Sequence, residues 1–546
     1  MTLAPPKFVL LTILDGWGIA PDGPGNGITQ ANTINMDRFK ASYPHGELEA
    51  AGEEVGLPKG EDGNTETGHL NLGAGKIVYQ DLQRINMAIQ DGSFYQNPVL
   101  ISAITHAKKN NSKLHFMGLV GAGGVHSNLE HLFALIHLAK LNNFSNVFIH
   151  VFTDGRDSPQ TAAKSYIAKL QEVIKREGVG TIASVMGRYY AMDRDQRWDR
   201  TSKAYRALTK GEGIFFSTVD EAIDASYSEG KMDEFIEPSL IVGTDKKPIA
   251  LIQNNDAVVF FNFRIDRPRQ LTKAFVYTKL TNADLTYDFH PYQMEKDVTP
   301  IKDAIFDRGN PLTNLFFITM TDYGAPLVQA GAIPAFPPEI VHQPISGVIA
   351  ENGFSQLKIT ESEKERFVTF YFNGLRDGAY PLEERIIIPS AKVPTYDQKP
   401  EMSASEITEM LLKRLNGGDY KLIVVNYPNA DMVGHTGNIG ATVKAVEIVD
   451  AYLGKLANTV LAFGGAMIVT ADHGNAEEII NEKTGEIDTE HSTNRVPFIV
   501  IAETYTGKSY SLPVGKLADV APTILHMLGM TPPASMTGKN LLGDIE

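Results

Sequence analysis

Short apolar runs rich in β-branched residues alternate along this chain with longer segments of mixed polar and apolar residues. Short runs bounded by turn residues predict buried strands, and the longer segments between them predict helices. Strands that alternate with helices are typical of an α/β fold with largely parallel sheets. The predicted strands are Phe8–Leu14, Leu114–Val120, Val147–Thr153, Ile182–Met186, Ala257–Phe263, Leu422–Asn426, Met467–Thr470 and Val496–Ile501.

Glycine and charged or imidazole side chains follow most of these predicted strands directly. Asp15 follows the first strand, DGRD at 154–157 follows the third, and ADHGN at 471–475 follows the last but one. Ligands of open parallel sheets bind outside the carboxyl ends of the strands. Chance explains such residues after one or two strands, but not after nearly all of them. The sequence therefore predicts a functional site at the strand ends.

The first candidate constellation combines carboxylates with imidazoles. Asp431 and His435 are four residues apart, so one helical turn would put both on one face. Asp472 and His473 are adjacent, and we expect them to point in different directions and to serve two ions. The chain has no cysteine, and carboxylates with imidazoles but no sulfur suit Mn²⁺ or Zn²⁺. Each residue alone has a structural explanation, but together they predict a two-metal site. Its members are Asp15, Asp431, His435, Asp472, His473 and His491.

The second candidate is the segment Gly63–Lys76, in which Asn64 and Thr65 precede a short predicted helix. One of the two is expected to be the N-cap, a common role for both residue types. Gly68 stands where a capping box would place Glu or Gln. The functional alternative is that the Thr65 hydroxyl is a nucleophile activated by a metal or a base. A helix N-terminus would also favour a phosphate on that residue, and the pattern leaves both interpretations open.

A set of arginines forms the third candidate. Arginine forks bind phosphate and carboxylate bidentately, so these side chains favour a small anionic substrate. The alternative is a solvated surface on which they pair with Asp193, Asp195, Asp199 and Asp266, and we expect it to hold for about half of them. The arginines are Arg156, Arg188, Arg194, Arg197, Arg200, Arg264, Arg267 and Arg269.

Charge and composition narrow the class of protein. The chain has 546 residues, with 50 Lys and Arg against 65 Asp and Glu, for a net charge of −15. That balance argues against partners such as nucleic acid or an anionic membrane surface. The absence of cysteine excludes disulfides, thiolate zinc sites and cysteine nucleophiles. Phe8–Leu14 is too short to span a bilayer and lacks a signal-peptide cleavage site, so we expect a cytoplasmic protein.

Two breaks along the chain indicate domain boundaries. One follows the glycine-rich GAGK at Gly73–Lys76, and the other is AIPAFPPE, which contains Pro334, Pro337 and Pro338. Such a pair predicts one domain built from both chain ends, with a second domain inserted between them.

Taken together, these blocks closely resemble the cofactor-independent (2,3-bisphosphoglycerate-independent) phosphoglycerate mutases of the alkaline phosphatase superfamily. The resemblance covers nearly the whole chain in family order. The matching blocks are LDGWG at 14–18, GLPKGEDGNTETGHLNLGAGK at 56–76, GGVHS at 123–127, DGRD at 154–157, GRYYAMDRDQRWDR at 187–200, FNFRIDR at 261–267, ESEK at 361–364, PTYDQKPEMSA at 394–404, NYPNADMVGHTG at 426–437, TADHGNAE at 470–477 and HSTNRVPF at 491–498.

The resemblance implies a fold and an activity. It implies an α/β fold with an alkaline-phosphatase-like, metal-binding domain at 1–80 and 338–546 and an inserted α/β phosphotransferase domain at 81–337. It implies an isomerase of glycolysis and gluconeogenesis that interconverts 2-phosphoglycerate and 3-phosphoglycerate through a phosphothreonine at Thr65. No 2,3-bisphosphoglycerate is expected, and we expect a monomer with this small-molecule substrate. The alternative is a metal-dependent phosphatase or related hydrolase of the same superfamily.

The resemblance also implies roles for individual residues. Two divalent ions are expected, Mn²⁺ first, with Mg²⁺, Co²⁺ or Zn²⁺ as alternatives. Asp157 would handle the glycerate hydroxyl proton, and Lys364 would bind substrate and stabilise the phosphorylated Thr65. The ligands of one ion would be Asp431, His435 and His491, and those of the other Asp15, Thr65, Asp472 and His473. The substrate-binding residues would be His126, Arg156, Asp157, Arg188, Arg194, Arg264, Arg267 and Lys364.

The chain departs from the family pattern in three places. The nucleophile is usually Ser, in GNSEVGH, where this chain has Thr65 in GNTETGH, and threonine has a stiffer χ1. Asn128 stands where His is frequent, and the segment Leu280–Pro311 is longer than usual.

Overall fold

The computed structural model describes residues 5–280, 306–481 and 484–543. Within these ranges the chain divides into two compact units, each with its own sheet. The first unit combines the two ends of the chain, Met1–Gln83 and Glu339–Glu546, and the second is Arg84–Pro338. Most of the unusually long segment Leu280–Pro311 lies outside the described residues.

The sheet of the first unit has eight strands in the order β12-β11-β13-β1-β14-β15-β2-β16, numbered along the whole chain. Its strands are β1 (Val9–Leu14), β2 (His45–Glu49), β11 (Ser355–Glu361), β12 (Glu383–Ile388), β13 (Tyr420–Tyr427), β14 (Ala466–Thr470), β15 (Val496–Ile501) and β16 (Gly515–Lys516). The central strand β1 runs parallel to both of its neighbours, β13 and β14. The predicted strand Val496–Ile501 is β15, which runs antiparallel to β14 and to β2.

Every residue of β1, VLLTIL, is buried. A parallel strand covered on both faces reads as a continuous apolar run rather than an alternating one, which explains why its sequence pattern was recognisable. The helices of this unit are α1 (Ile34–Ser42), α2 (Thr65–Ala74), α12 (Ile345–Glu351), α13 (Ala404–Gly417), α14 (Asn429–Gly434), α15 (Ile439–Ala462) and α16 (Val520–Met527). Helix α3 (Asp81–Asp91) begins in this unit and continues into the second one.

The sheet of the second unit also has eight strands, in the order β10-β9-β8-β3-β4-β5-β7-β6. They are β3 (Leu114–Val120), β4 (Val147–Thr153), β5 (Thr181–Gly187), β6 (Ile214–Phe216), β7 (Ser239–Ile241), β8 (Ala257–Phe260), β9 (Phe316–Thr321) and β10 (Ala332–Phe336). Only the pair β5–β7 is antiparallel among them. The helices are α4 (Pro98–Asn110), α5 (Leu129–Leu141), α6 (Ala163–Glu177), α7 (Arg188–Ala191), α8 (Trp198–Lys210), α9 (Val219–Ser228), α10 (Pro268–Val276) and α11 (Ala325–Gln329).

Both sheets are largely parallel and covered by helices, so the predicted α/β fold class is confirmed. One predicted detail was wrong. The strand predicted over Ala257–Phe263 ends at Phe260, because the backbone N–H of Phe263 leaves the ladder and donates to the carbonyl of His126. The proline cluster AIPAFPPE begins as the edge strand β10, where Pro334 is tolerated since an edge strand needs fewer N–H donors, and the second unit ends within the cluster at Pro338.

Among the described residues, no helix is both long enough and apolar enough to cross a membrane.

Candidate functional site

The turn after β1 brings Asp15 against helix α14. The backbone N–H of Asp431 donates to the carbonyl of Asp15 at 3.0 Å. Gly16, with φ +74°, makes this approach possible, because a Cβ on it would meet the backbone of Asp431 at 2.7 Å. The side chains of Asp15 and Asp431 are 0% and 1% exposed, so two carboxylates are buried side by side.

Asp431 faces two histidines. The Nε2 atoms of His435 and His491 lie 3.2 Å and 3.3 Å from its Oδ1 and 3.2 Å from each other. The predicted helical turn is therefore present and puts Asp431 and His435 on one face. The Nδ1 atoms of His435 and His491 donate to the carbonyls of Thr489 and Gly63. A carbonyl only accepts, so Nδ1 carries a proton in both rings, and in the neutral form of each ring the Nε2 lone pair faces Asp431.

A second group surrounds Asp15. The Nε2 of His473 lies 3.4 Å from Asp15 Oδ1 and 3.5 Å from Asp472 Oδ2. The expectation that Asp472 and His473 point in different directions was wrong, because the chain turns sharply after β14 and both side chains face the same centre. Among the described residues, neither carboxylate oxygen of Asp472 accepts a well-aligned hydrogen bond, and its nearest polar neighbour is His69 Nδ1 at 3.1 Å.

Thr65 is the first residue of α2 and is 6% exposed. The N-cap is Asn64, whose side chain accepts from the N–H of Thr67 at 2.9 Å. The Thr65 hydroxyl is therefore not needed for capping. It lies 2.8 Å from His473 Nε2 and accepts from Lys364 Nζ at 3.1 Å. Both interpretations of this segment are therefore compatible: Asn64 is the N-cap, and the neighbouring Thr65 has the surroundings expected of an activated hydroxyl.

Lys364 joins these groups. Its Nζ donates to Asp15 Oδ1 at 2.8 Å and to Asp431 Oδ2 at 2.7 Å. Burial lowers the pKa of Lys364, but the carboxylates of Asp15, Asp431 and Asp472 outweigh it and raise that pKa above its usual range. Lys364 therefore stays charged beside the Thr65 hydroxyl.

The acid–histidine cluster, as we call Asp15, Asp431, His435, Asp472, His473 and His491, fits divalent metal ions. Buried carboxylates and imidazole lone pairs that face one another need positive charge between them. The carboxylates also favour a proton on a neighbouring imidazole. Burial lowers the pKa of His473, but Asp472, Asp15 and Asp431 outweigh burial and raise that pKa to about 10. Ligand atoms of Asp431, His435 and His491 lie within 4.8 Å of one another, as do those of Asp15, Asp431 and His473. Oxygen and imidazole donors suit Mn²⁺ and Zn²⁺.

A further triad at metal-ligand spacing contains His69 with Asp15 and Asp472. The Nε2 of His69 accepts from Asn426 Nδ2 at 3.1 Å, and its Nδ1 faces the carbonyl of Thr65 at 3.0 Å. Both ring nitrogens are therefore engaged, so His69 orients Asp472 instead of adding a ligand. Partners that hold ligands in this way are a regular part of metal sites.

Apart from Lys364, which belongs to the first unit, the predicted substrate-binding residues lie in the second unit, in the segments that follow β3, β4, β5 and β8. Arg188 is 2% exposed, and its Nη1 donates to Asp154 Oδ1 at 2.6 Å and to Asp157 Oδ2 at 2.5 Å. Burial raises the pKa of Asp157, but the Arg188 guanidinium outweighs it and lowers that pKa below its ordinary value. His126 lies 3.5 Å from Asp157. Burial and the charge of Arg188 lower the pKa of His126 to about 4, so its ring is neutral at neutral pH.

Asp266 gathers two further arginines. Its carboxylate lies 2.5 Å from Arg194 Nη1 and 3.4 Å from Arg264 Nε. Burial lowers the pKa of Arg267, and the charges of Arg188, Arg194 and Arg156 lower it further, so these cations are close together. We call this set, namely Arg156, Arg188, Arg194, Arg264 and Arg267 with His126 and Asp157, the arginine cluster.

The remaining arginines have structural partners or lie at the surface. Arg200 lies 3.5 Å from Asp193 and stacks on the ring of Tyr189 at 3.6 Å. Arg269 donates to the carbonyl of Tyr323 at 2.7 Å. Arg197 is exposed. Of these three, Arg200 pairs with an aspartate as the structural alternative expects, and for the other two that pairing stays a prediction.

Comparison with known proteins decides the family. The chain is 47% identical over 542 residues to the 2,3-bisphosphoglycerate-independent phosphoglycerate mutase of Moorella thermoacetica, a match that covers 99% of each protein. The chain belongs to this mutase family. The enzyme of the same name from Chloroflexus aggregans is 48% identical, over 98% of this chain and 99% of the relative.

Two further comparisons agree with this assignment to the phosphoglycerate mutases. A family model described as "BPG-independent PGAM N-terminus" matches residues 85–325. The crystal structure of Leishmania mexicana phosphoglycerate mutase covers 99% of this chain and 98% of its own, with a TM-score of 0.59 and 28% identity.

Sequence reasoning missed several polar residues that hold this mutase's acid–histidine cluster together. His69 could have been found, because it lies four residues after Thr65 and so shares a face of α2 with it. Asn426, Asn475 and Glu477 gave no usable signal. Each acts through a hydrogen bond to a neighbouring loop, and no spacing in the sequence encodes such contacts.

Proposed function

We propose that this protein interconverts 2-phosphoglycerate and 3-phosphoglycerate without 2,3-bisphosphoglycerate, as an isomerase of glycolysis and gluconeogenesis. One observation carries the mechanism: the hydroxyl of Thr65 lies within hydrogen-bond distance of both Lys364 and His473, inside a buried group of carboxylates. Mutases of this name that are 47% and 48% identical over almost the full length of the chain support the overall reaction.

Two divalent ions are proposed for the acid–histidine cluster, with Mn²⁺ as the first candidate. Asp431, His435 and His491 would hold one ion, and Asp15, Asp472, His473 and the Thr65 hydroxyl the other. When bound, the ions would supply Lewis acidity that activates the hydroxyl and neutralises phosphoryl oxygens. The donor set supports this proposal and does not select Mn²⁺ over Mg²⁺, Co²⁺ or Zn²⁺.

Thr65 is the proposed nucleophile. Its hydroxyl gives up its proton as the oxygen attacks the phosphorus of the substrate, the bond from phosphorus to the glycerate oxygen breaks, and the leaving glycerate oxygen takes up a proton in exchange. The other glycerate hydroxyl then attacks the phosphothreonine and regenerates Thr65. Lys364, held in its charged form by its carboxylate neighbours, stabilises the added negative charge, and so does the N-terminus of α2.

The arginine cluster is proposed to hold the glycerate during the transfer. Guanidinium groups match its carboxylate geometrically, and the neutral ring of His126 can hydrogen-bond a hydroxyl. Asp157 is ionised at neutral pH because Arg188 lowers its pKa, so it can accept the proton of the glycerate hydroxyl that attacks the phosphothreonine, while the departing Thr65 oxygen is protonated again. On this account the first unit is the phosphatase-like domain and the second is the phosphotransferase domain.

A hydrolase would share Thr65 and the ions but let water attack the phosphothreonine. The arginine cluster favours the mutase, since a hydrolase has no need to retain the glycerate. We propose a cytoplasmic location, on the grounds of the glycolytic substrate, and a monomeric enzyme.

The test is an assay with 3-phosphoglycerate as the only phosphate compound, coupled to enolase. A mutase gives continuous enolase product with little inorganic phosphate. A hydrolase gives phosphate as the main product, and a binding protein gives neither. Either of the last two results would refute the proposal.

A further inference from the structure

Glu477 is a buried carboxylate that the mechanism above does not use. It lies in the turn after β14 and is 3% exposed. One oxygen, Oε2, accepts from the backbone N–H of Gly18 and from that of Asn475, both at 2.9 Å. The other, Oε1, accepts from the hydroxyl of Ser492 and from Asn494 Nδ2, the latter at 3.1 Å. A carboxylate offers about four acceptor positions, and all four donors here are uncharged.

These donors come from three separate loops, and each loop carries proposed metal ligands. Gly18 lies three residues after Asp15, Asn475 lies two residues after His473, and Ser492 follows His491 directly. Glu477 therefore connects the β1, β14 and β15 ends of the acid–histidine cluster through one side chain.

The surrounding sequence leaves room for this carboxylate. A Cβ built on Gly18 or on Gly474 would collide with the side chain of Glu477, so both loops approach it as closely as glycine permits. Asn475 extends the connection, because its Nδ2 donates to Asp431 Oδ1 at 3.2 Å. The backbone that Glu477 fixes is thus the backbone that orients Asp431.

We propose that Glu477 is a positioning residue that holds these three loops at the spacing two divalent ions require. The proposal rests on the proposed metal centre. Glu477 touches no proposed ligand directly, so it acts on metal affinity through the loops. Glutamine at this position would turn an N–H donor toward Asn494 Nδ2 or toward the two backbone N–H groups, and donor would face donor.

The test compares Glu477→Gln with Glu478→Gln, the same change one residue later. Glu478 is half-buried, and Asn494 Nδ2 at 3.3 Å is the hydrogen-bond donor found for it among the described residues. Each protein is stripped with a chelator, and its dissociation constant for Mn²⁺ is measured by competition. Melting temperatures with and without Mn²⁺ are recorded alongside.

We expect Glu477→Gln to weaken Mn²⁺ binding by about 10- to 100-fold, the usual effect of losing an outer partner of a metal site. Its metal-dependent rise in melting temperature should shrink, and kcat should recover toward the wild-type value at saturating Mn²⁺. A change in affinity no larger than that of Glu478→Gln would overturn the proposal, even if the metal-free protein melts earlier.

Ser492→Ala covers the case in which Glu477→Gln does not fold, because it removes one donor and leaves the carboxylate in place. It should fold and bind Mn²⁺ more weakly than wild type, by less than Glu477→Gln, whereas unchanged affinity would overturn the proposal. Failure of the wild-type protein to bind two ions would instead refute the metal centre itself. The two failures are therefore distinguishable.

Discussion

At the scale of single residues, the hydroxyl of Thr65 does not cap helix α2. Asn64 accepts the N–H of Thr67, and the hydroxyl of Thr65 faces Lys364 and His473. A threonine serves as well as a serine here only if its stiffer χ1 already points the hydroxyl at those partners, and the observed rotamer does so.

Thr65→Ser should retain substantial mutase activity because the hydroxyl is kept. Thr65→Ala should lose nearly all of it, while binding of divalent ions persists through the remaining ligands. Thr67→Ala is a matched control in the same helix, since its hydroxyl bonds Asn64 and not the cluster. Steady-state rates and metal content by elemental analysis check this. A Thr65→Ala enzyme within tenfold of wild type would sink the nucleophile assignment.

Asp431 is the most connected carboxylate of the acid–histidine cluster. It contacts Lys364, His435 and His491, so Asp431→Asn should lower the number of bound ions and reduce activity by orders of magnitude. Chelation of the wild-type protein should have the same effect, and added Mn²⁺ should reverse it. Full activity in excess chelator, with no metal detected, would contradict the two-metal mechanism.

At the scale of elements, helix α2 is placed by the segment that follows Lys364. A Cβ on Gly73 would collide with the carbonyl of Phe372, next to a π-helical turn at Phe367–Tyr371. π-Helical turns are frequent at functional sites. The close approach fixes α2, and with it Thr65, relative to Lys364.

Gly73→Ala should therefore destabilise the protein by about 1–3 kcal/mol, the usual effect of overpacking, and should lower kcat by displacing Thr65. Alanine would otherwise favour a helix over glycine. Gly417→Ala is the control, because a Cβ there meets open space at the end of α13, and it should stabilise by up to about 1 kcal/mol. Urea denaturation measures both, and equal effects would show that the close approach is unimportant.

Strand β11 contains a buried lysine. Lys358 donates to Asn373 Oδ1 and lies 3.8 Å from Glu383. Burial lowers its pKa to about 7, although Glu383 opposes the shift. Between about pH 7 and the ordinary lysine pKa of ~10.4, the unfolded chain binds a proton that the folded chain does not, so this residue makes stability rise with pH across that window.

Lys358→Met should remove that dependence. Relative to the variant, the wild type should gain on the order of a few kcal/mol of unfolding free energy between pH 7 and 10, and nothing further below pH 7, where the buried charge opposes folding in full. Lys413→Met, at an exposed position of α13, should leave the pH dependence unchanged. Parallel pH profiles for wild type and Lys358→Met would contradict the assignment.

At the scale of the whole molecule, strands were recognisable where most of their residues are apolar and buried, as in β1, β3 and β4. Strand β11 was not recognisable, because SQLKITE alternates and buries both Gln356 and Lys358. Strand β10 was not predicted, because the sequence does not show that its proline lies at a sheet edge, whereas the prolines that follow it did indicate the end of the second unit. Each candidate metal ligand that follows a strand could be predicted from its own position. Glu477 could not, because its hydrogen bonds connect loops that are distant in the sequence.

The arginine cluster separates a mutase from a hydrolase at this scale. Arg264→Ala should loosen the glycerate, let water reach the phosphothreonine, and raise the ratio of inorganic phosphate to isomerised product. Arg197→Ala, which changes an exposed arginine outside the cluster, should leave that ratio as in wild type. If both variants behave alike, the cluster does not retain the glycerate.

The most direct test of the central claim is a crossover experiment with the wild-type enzyme. Unlabelled 3-phosphoglycerate is mixed with molecules that carry ¹³C in the glycerate and ¹⁸O in the non-bridging phosphoryl oxygens, and the 2-phosphoglycerate formed is analysed by mass spectrometry. If Thr65 returns the phosphoryl group to the glycerate it came from, the product is either unlabelled or carries both labels, and little inorganic phosphate forms. Products with one label alone, or inorganic phosphate as the main product, would contradict the account.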